Sequence, residues 1–415
     1  MGALRSHSFA DRGSGRGGAM TFGVVLFIIA ILVVVMIHES GHFFTAKYFN
    51  FKATQYFLGF GPTIWSTQRG ETEYGIKALP LGGFVKIIGM NPYEDIPEED
   101  LPRSYPNKPA WQRAIVLVAG SATHWVVAFL LLTFAFAAIG YPTGNATTTI
   151  QDITSSLDGE DTPAGDGALS PGDEIVGIEG VADGGADTWA EIRAHIQAHP
   201  GETVTFVIER DGNTRTEAIE LGTGLFDADG AIVDYAPPGE DVRTPSEGET
   251  VGGFLGVSPE PEYKRDSVTG AIKRGGSETW QLTYLSFKGI GIVFGTVFDS
   301  DFWAQVSGSE ERDPRGALGL VGAGKIAGET VQRGQYLDLI GMIAAFTVFI
   351  GLMNLLPLPP LDGGHLAILA FEKITGRKVD IRKTIPVAAA VISFFVVLFL
   401  AVLYLDIAHP IQTPF

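Results

Sequence analysis

The segment from Phe22 to His42 reads FGVVLFIIAILVVVMIHESGH, an apolar run that ends in two histidines and a glutamate. A helix needs about 20 predominantly apolar residues to cross the hydrocarbon core of a bilayer, and this segment has that length. Ionisable side chains are unfavourable at membrane depth and rarely lack a role there. The segment therefore predicts a membrane helix that carries a functional site near its end.

Three later segments meet the same length criterion. They are Ile115–Ile139, which has no charged residue, Leu337–Leu355, with Asp338 near its start, and Ile385–Leu405. Buried core helices of a soluble protein are the alternative interpretation, but long uncharged runs are typical of membrane spans. We therefore expect a polytopic α-helical membrane protein with four transmembrane helices.

A weaker apolar segment, Trp280–Phe298, is interrupted by Lys288 and by glycines. Its mixed character is typical of an amphipathic helix that lies on the membrane surface rather than crossing it. We therefore assign residues 261–336 to an amphipathic surface region that precedes the second half of the membrane core.

The composition excludes several classes of protein. The 415 residues include no cysteine, so no disulfide or thiolate nucleophile is possible, and a metal must be held by His, Asp or Glu. The net charge of −18 is concentrated between Thr143 and Gly270, where 26 acidic residues accompany 6 basic ones. Nucleic acid is not expected as a partner, because phosphate binding needs patches of Lys and Arg.

Residues 54–90, between the first two spans, have the pattern of strands. Thr54–Phe60, Glu73–Leu79 and Gly82–Gly89 are separated by turn residues. The piece from Gly82 to Met90 is apolar for its position, and unpaired backbone cannot face lipid. We therefore expect a membrane-associated β-hairpin region that re-enters the bilayer only where protein covers it.

The acidic stretch has the pattern of one small α+β domain over residues 143–260. Glu174–Ile178 alternates as a strand, Thr188–His199 has helical spacing, and Thr203–Arg210 alternates again before a hairpin turn. A strand, a helix and a hairpin in this order predict a compact mixed domain that is separate from the membrane helices.

The end of the first span contains the pattern H-E-x-x-H, with His38, Glu39 and His42 at its fixed positions. Residues four apart share one face of a helix, so the two imidazoles can bind one zinc ion. Glu39 lies beside such an ion and can accept a proton from a water molecule. An interfacial cluster that only reaches toward water is the alternative interpretation.

A catalytic zinc site needs a third protein ligand and an open position. Besides Glu39, few acids lie in or beside the apolar spans, and they are Asp338, Asp362 and Asp406. Asp362 follows prolines at positions 357, 359 and 360, which cannot continue a helix. Non-helical backbone at that depth must be buried in protein or line a wet cavity, so Asp362 is the predicted third ligand. His365 is a rival ligand, or else orients the site or caps a helix.

The two motifs together resemble the site-2 protease family of intramembrane zinc metalloproteases. The resemblance rests on H-E-x-x-H in the first span and on N-x-x-P-x-P-x-L-D-G from Asn354 to Gly363, and it extends from Met20 to the C-terminus. Within the family, the chain is most similar to the bacterial regulator of sigma-E protease group and its actinobacterial members. Shared pieces include Gly59–Pro62, Leu81–Lys86 and Pro171–Asp173.

The resemblance implies a role for each matching residue. It makes His38, His42 and Asp362 the ligands of Zn²⁺ and Glu39 the general base. It implies that Asn354 holds the substrate or the oxyanion. The hairpin residues implied to present the substrate strand are Gly82, Gly83, Phe84 and Val85.

The resemblance also implies that the acidic domain is PDZ-like, a fold that binds chain ends or filters partners by size. The implied function is regulated intramembrane proteolysis of a membrane-protein substrate, such as an anti-sigma factor that another protease has already shortened. One departure concerns the second span, where many members carry G-P-x-x-N. This chain has Gly120-Ser121-Ala122-Thr123-His124 instead. His124 either replaces the asparagine, by hydrogen bonding or near the metal, or is a structural histidine.

Basic residues predict the orientation of the chain, because loops rich in Lys and Arg stay in the cytoplasm. The loop after the first span contains Lys47, Lys52, Arg69, Lys77, Lys86, Arg103, Lys108 and Arg113, and the loop after the third contains Lys373, Arg377, Lys378, Arg382 and Lys383. The protein is thus expected in the cell membrane, with the acidic domain extracytoplasmic and the active site toward the cytoplasmic side.

The expected organisation has five parts. They are a disordered leader at 1–19, a first half of the membrane core at 20–142, the PDZ-like domain at 143–260, the surface region at 261–336, and the second half of the core at 337–415. Two other functions fit the membrane body. A transporter would use the histidines as a proton relay but predicts internal repeats, and none is evident. A membrane anchor for a PDZ-like module predicts missing ligands, whereas all three are present.

Overall fold

The computed structural model describes residues 13–91, 93–157, 159–181, 188–228, 230–310, 312–313, 316 and 318–410. These residues form two compact units. One consists of the chain up to Ala138 together with the chain from Asp266 onward, and the other is Ile139–Arg265. The predicted domain 143–260 lies within the second unit.

The first unit is built mainly from helices. They are α1 (Gly13–Tyr48), α2 (Ala110–Ala138), α4 (Val268–Thr296), α5 (Ser300–Ser307), α6 (Leu320–Gln332), α7 (Tyr336–Asn354), α8 (Asp362–Thr375) and α9 (Ile385–Ala408), with short 3-10 turns at Glu98–Arg103, Tyr105–Asn107 and Ile381–Thr384. Within the described residues, four segments are long and apolar enough to cross a membrane: Thr21–Tyr48, Ala110–Ala138, Tyr336–Asn354 and Ile381–Ala408. The four predicted spans match them in position.

Helix α1 begins inside the segment predicted as a leader, residues 1–19. Residues 1–12 lie outside the described part of the chain, but α1 already begins at Gly13, six residues before the predicted end of the leader. Once a stable helix exists, each further residue gains one backbone hydrogen bond, which offsets the entropy lost in fixing that residue. The apolar span therefore extends its helix into polar sequence that has no helical periodicity of its own.

The region between α1 and α2 is a sheet of two long, bent strands, β1 (Ala53–Arg69) and β2 (Thr72–Ile87). They pair antiparallel, and residues 55–58 of β1 face both 83–86 and 73–76 of β2. Both strands bend at glycines with positive φ, including Gly59 and Gly82. The three predicted strands are therefore parts of a longer hairpin, which also includes the unpredicted residues 61–69.

Helix α4 contains the predicted surface segment Trp280–Phe298 and packs against the other helices of the first unit. It runs antiparallel along α2. Gly275 packs against Thr133, and the indole of Trp125 donates a hydrogen bond of 3.0 Å to Thr283, eight residues further along α4. The absence of a side chain at Gly275 permits this close approach, which overall hydropathy does not reveal.

The far end of α4 meets α9, where the rings of Phe294 and Phe394 stack with centroids 5.3 Å apart. The carboxyl-terminal end of α9 is then held by Asp406. This buried carboxylate accepts hydrogen bonds from Arg312 at 2.8 Å and from the backbone amide of Gly322 at 2.7 Å. The amide belongs to the first turn of α6, where a negative charge is favourable. Asp406 therefore has a structural role at the end of α9.

Helices α7 and α8 are joined by the proline-rich break that the sequence predicted. Helix α7 ends at Asn354, and α8 begins at Asp362. Gly363 and Gly364 lie directly against the backbone of residues 355–359, with no room for a side chain at either position. This close packing turns the chain back on itself and places Asp362 at the start of a helix.

The second unit is an α+β domain with its own apolar core. Its strands are β3 (Tyr141–Ile153), β4 (Ser156–Leu157), β5 (Glu160–Asp161), β6 (Glu174–Ile178), β7 (Thr203–Arg210), β8 (Asn213–Glu220), β9 (Gly222–Phe226), β10 (Ile232–Ala236), β11 (Thr250–Phe254) and β12 (Val257–Lys264), with helix α3 (Trp189–Ala198) and a 3-10 turn at Pro163–Asp166. The main sheet has the order β12-β3-β6-β7-β8, and β9 lies between β10 and β11 in a second sheet.

Local sequence explains two features of this domain. Thr188 and Glu191 form a capping box that starts α3. Asp173 is fully buried at the turn before β6 and is paired with Arg210. Burial alone would raise the pKa of Asp173, but the hydrogen bonds from Arg210 and from the Ser170 amide lower it overall. The turn is therefore fixed by a charge that remains ionised at neutral pH.

Candidate metal centre

Three predicted ligands converge where α1 passes the start of α8. His38 and His42 lie one turn apart on α1 and are 6% and 8% exposed. Their Nε2 atoms are 3.1 Å apart, and Oδ2 of Asp362 lies 3.3 Å from the first and 3.2 Å from the second. The three atoms form a nearly equilateral triangle.

The size of this triangle fits zinc. At ligand distances of about 2.0–2.1 Å, tetrahedral angles separate two ligand atoms by roughly 3.3–3.4 Å. The observed separations of 3.1–3.3 Å are close to that value. No other group of three His, Asp or Glu side chains with this spacing occurs among the described residues. Two imidazoles and one carboxylate leave a fourth tetrahedral position open, as catalytic zinc sites require.

Helix α2 orients the ring of His42. The Nδ1 atom of His42 is 2.8 Å from the carbonyl oxygen of Val116, which accepts its proton and leaves Nε2 free to coordinate. Gly41 and Gly120 permit the close approach of the two helices. A side chain at Gly41 would collide with Ala119, and one at Gly120 would overlap the His42 ring. Sequence reasoning missed Val116, because a backbone carbonyl has no signature in the side-chain pattern.

A cavity of about 280 Å³ contains the ligand triangle together with Glu39 and Asn354. Val85 and Ile87 line it from the last part of β2. The backbone of Val85 lies against the Glu39 carboxylate. The cavity therefore brings together three residues that can hold a metal, a carboxylate that can move a proton, and an amide side chain.

The four predicted hairpin residues do not all reach this cavity. Val85 lines it. Gly83 lies close to Met36 and Glu39, and a side chain added at Gly83 would collide with Met36. Phe84 points to the other face and stacks on Phe57 with centroids 5.7 Å apart. Side chains alternate along a strand, so Phe84 cannot face the site when Val85 does. Gly82 packs against a ring on that outer face and does not line the cavity.

Among the described residues, neither the rival ligand His365 nor Asp338, another acid of the apolar spans, is part of the centre. Neither residue belongs to the ligand group or to the cavity lining.

Sequence reasoning also missed Tyr56 of β1. Its hydroxyl is 2.7 Å from that of Ser40 and donates to the carbonyl of Met36 at 3.0 Å, which fastens the sheet to the helix beside Glu39.

Comparison with known proteins defines the class to which this fold and site belong. Residues 26–400 match peptidase family M50, the membrane-embedded site-2 proteases, and the chain belongs to that family. It is 31% identical over 433 residues to the zinc metalloprotease Rip1 of Mycobacterium bovis (strain BCG Pasteur 1173P2), covering 94% of this chain and 98% of that protein. It is 33% identical over 371 residues to the zinc metalloprotease Rip1 of Mycolicibacterium smegmatis, covering 85% and 86%.

The protein is therefore a zinc metalloprotease of a membrane-embedded family, with a protein substrate and a lipid environment. The predicted family, enzyme class and zinc cofactor are confirmed. The ligand triangle fits that cofactor in the number, chemistry and spacing of its donor atoms.

Gly120 provides a test of this geometry. We expect Gly120→Ala to weaken zinc binding about tenfold or more, because the added methyl group would displace the Nε2 of His42. Gly341→Ala is the matched control, since the same substitution in α7 meets no atom within 4 Å among the described residues. Zinc affinity is measured by chelator competition on purified protein. Equal affinities for the two variants, with helicity intact, would contradict the placement of His42 at the metal.

Proposed function

We propose that the protein is an intramembrane zinc endopeptidase that cleaves peptide bonds within transmembrane segments of other membrane proteins. The observation that carries this proposal is the convergence of His38, His42 and Asp362 in a cavity that also contains Glu39. The helix that presents H-E-x-x-H is itself one of the four candidate spans. A hydrolytic centre on such a helix suits a substrate that lies in the bilayer.

Each polar group of the cavity has a distinct role in this proposal. His38, His42 and Asp362 hold the zinc ion, which when bound supplies Lewis-acid activation of a water molecule and of the peptide carbonyl. Glu39 is the general base, which takes a proton from the attacking water and passes it to the leaving nitrogen. Asn354 donates a hydrogen bond to the carbonyl oxygen as negative charge develops there.

The end of β2 provides a binding edge for the substrate. In the described residues, 83–87 pair with β1 only, so the other edge of this segment has no strand partner. Val85 and Ile87 line the cavity from this segment. A helical substrate hides its carbonyls in internal hydrogen bonds and must unwind before attack. Pairing as an added strand would hold it extended beside Glu39.

The role of Glu39 is tested by Glu39→Gln. Glutamine has nearly the same shape but cannot accept the proton of water at neutral pH, so we expect cleavage to fall at least about 100-fold while zinc is retained. Glu99→Gln makes the same change at an exposed position and should leave activity unaltered. The assay follows cleavage of a model transmembrane substrate and zinc content in the same preparation. Undiminished cleavage by Glu39→Gln would exclude Glu39 as the base.

We further propose that the basic loops are cytoplasmic and that the acidic domain is extracytoplasmic. The support is the concentration of Lys and Arg in the loops that follow the first and third spans. Reporters inserted within residues 143–260 should label as extracytoplasmic, and reporters within 94–108 as cytoplasmic. The reverse labelling pattern would overturn this orientation.

The acidic domain, in our proposal, is a PDZ-like filter that selects substrates and takes no part in the chemistry. It has its own apolar core, and its described residues offer no third ligand near the stacked pair His195 and His199. The proposed substrate is an anti-sigma factor whose exterior part has already been removed by another protease. A bulky, untrimmed substrate would be excluded by size.

Deletion of residues 143–260 tests the filter. Full-length enzyme should cut only the trimmed substrate, whereas the deletion should cut trimmed and untrimmed forms alike. A groove of about 290 Å³ between α3 and β11, lined by Trp189, Arg193 and Phe254, offers a different role, the capture of a new chain end. Loss of cleavage of the trimmed form, with zinc content intact, would refute the filter and support capture.

A further inference from the structure

Both histidines of the ligand triangle contact α2 through the ring nitrogen that faces away from Asp362. For His42, the contact is Nδ1 to the Val116 carbonyl at 2.8 Å. For His38, it is Nδ1 to Nε2 of His124 at 3.1 Å. A histidine that binds a metal usually has its second nitrogen held in this way, which fixes the proton and the plane of the ring. One of these partners is a backbone atom, but the other is a side chain that mutation can remove.

We propose that His124 is a positioning residue for the metal centre: it accepts a hydrogen bond from Nδ1 of His38 and so keeps Nε2 of that ring free for zinc. The proposal deepens the function proposed above and depends on His38 being a zinc ligand. His124 acts through His38 and touches neither the ion nor the substrate in this account.

The direction of the hydrogen bond follows from the chemistry of imidazole. A neutral ring has one proton, and coordination through Nε2 requires that proton to be on Nδ1. His38 must therefore donate, so His124 must present the lone pair of its Nε2 and keep its own proton on Nδ1. Without an acceptor at this place, the two tautomers of His38 would be closer in energy, and one of them cannot bind zinc through Nε2.

Packing holds His124 in place for this role. The residue is 1% exposed, and its ring centroid lies 5.0 Å from that of His38. Gly351 of α7 lies directly against it, since a β-carbon there would be 2.7 Å from the Cβ of His124 and 3.0 Å from its Cγ. Helices α1, α2 and α7 thus meet at His124. Helix α7, which contacts it through Gly351, ends at Asn354. The imidazole has little freedom to turn away from His38.

The geometry argues against His124 as a ligand itself. It contacts the Nδ1 of His38, whereas the Nε2 of that ring faces Asp362, and one ion cannot be bound by both nitrogens of a ring. Among the described residues, the ligand group contains only His38, His42 and Asp362. The sequence left a ligand, a hydrogen-bonding group and a structural residue open for His124, and the structure favours the second.

The test compares five variants by zinc affinity, measured by chelator competition on the full-length purified protein. His124→Phe keeps a ring of similar size but removes the acceptor, so we expect zinc affinity to fall about 10- to 100-fold. His124→Leu should show the same loss without a ring. His124→Gln can place its amide oxygen near the position of Nε2 and should stay within about threefold of the parent.

Ser121→Ala is the matched control, because Ser121 is buried one turn earlier on α2 and its hydroxyl has no hydrogen-bond partner among the described residues. Zinc affinity should be unchanged in this variant. Circular dichroism and thermal unfolding of the zinc-free proteins show whether each variant is folded. X-ray absorption of zinc-loaded His124→Phe should show the same number of imidazole ligands as the parent.

The outcomes separate the possible failures. Parental zinc affinity in folded His124→Phe and His124→Leu would overturn the positioning role. Loss of one imidazole ligand in the absorption spectrum would also overturn it and make His124 a ligand. His38→Ala is measured alongside. If that variant retained zinc, the proposed metal site itself would be wrong, whereas zinc loss in His38→Ala with no effect at His124 would reject only the present inference.

Discussion

The structure depends on bringing two imidazole nitrogens and one carboxylate oxygen, from opposite ends of the chain, to within 3.1–3.3 Å of one another in a buried cavity. Without a cation, such a cluster would be unfavourable, because a buried carboxylate loses its hydration. A zinc ion would compensate for that loss and hold α1 against the start of α8. The packing of the helices and of the sheet in the membrane unit holds these three atoms in place.

Glycines permit the close helix packing that brings the three ligand atoms together. Gly120 leaves room for the His42 ring, Gly351 for the His124 ring, and Gly363 for the turn that brings Asp362 to the site. The sheet is fastened beside Glu39 through the hydroxyls of Tyr56 and Ser40. Backbones must approach closely in a bundle whose helices gain little from hydrophobic burial against lipid. The cavity is thereby enclosed on one side by helices and on another by a strand edge.

The sequence predicted the parts of this arrangement that depend on spacing and composition. The four-residue interval placed His38 and His42 on one face, and three prolines in apolar sequence marked the break before Asp362. It could not predict contacts that depend on packing. The Val116 carbonyl has no side-chain signature. Helix α4 packs closely along α2 where Gly275 lacks a side chain, despite the mixed hydropathy of α4. Helix α1 begins at Gly13, inside the predicted leader, because helix propagation overrides local composition.

Zinc content of Asp362→Ala tests the central claim most directly, because Asp362 is the ligand that the carboxyl-terminal half of the chain contributes to the triangle. The parent should hold about one zinc per chain after dialysis against a mild chelator, as three protein ligands allow. Asp338→Ala, which removes an acid from the first turn of α7, should hold the same amount. We predict that Asp362→Ala loses most of its zinc while remaining folded. Retention of zinc by Asp362→Ala at the level of Asp338→Ala would contradict the account.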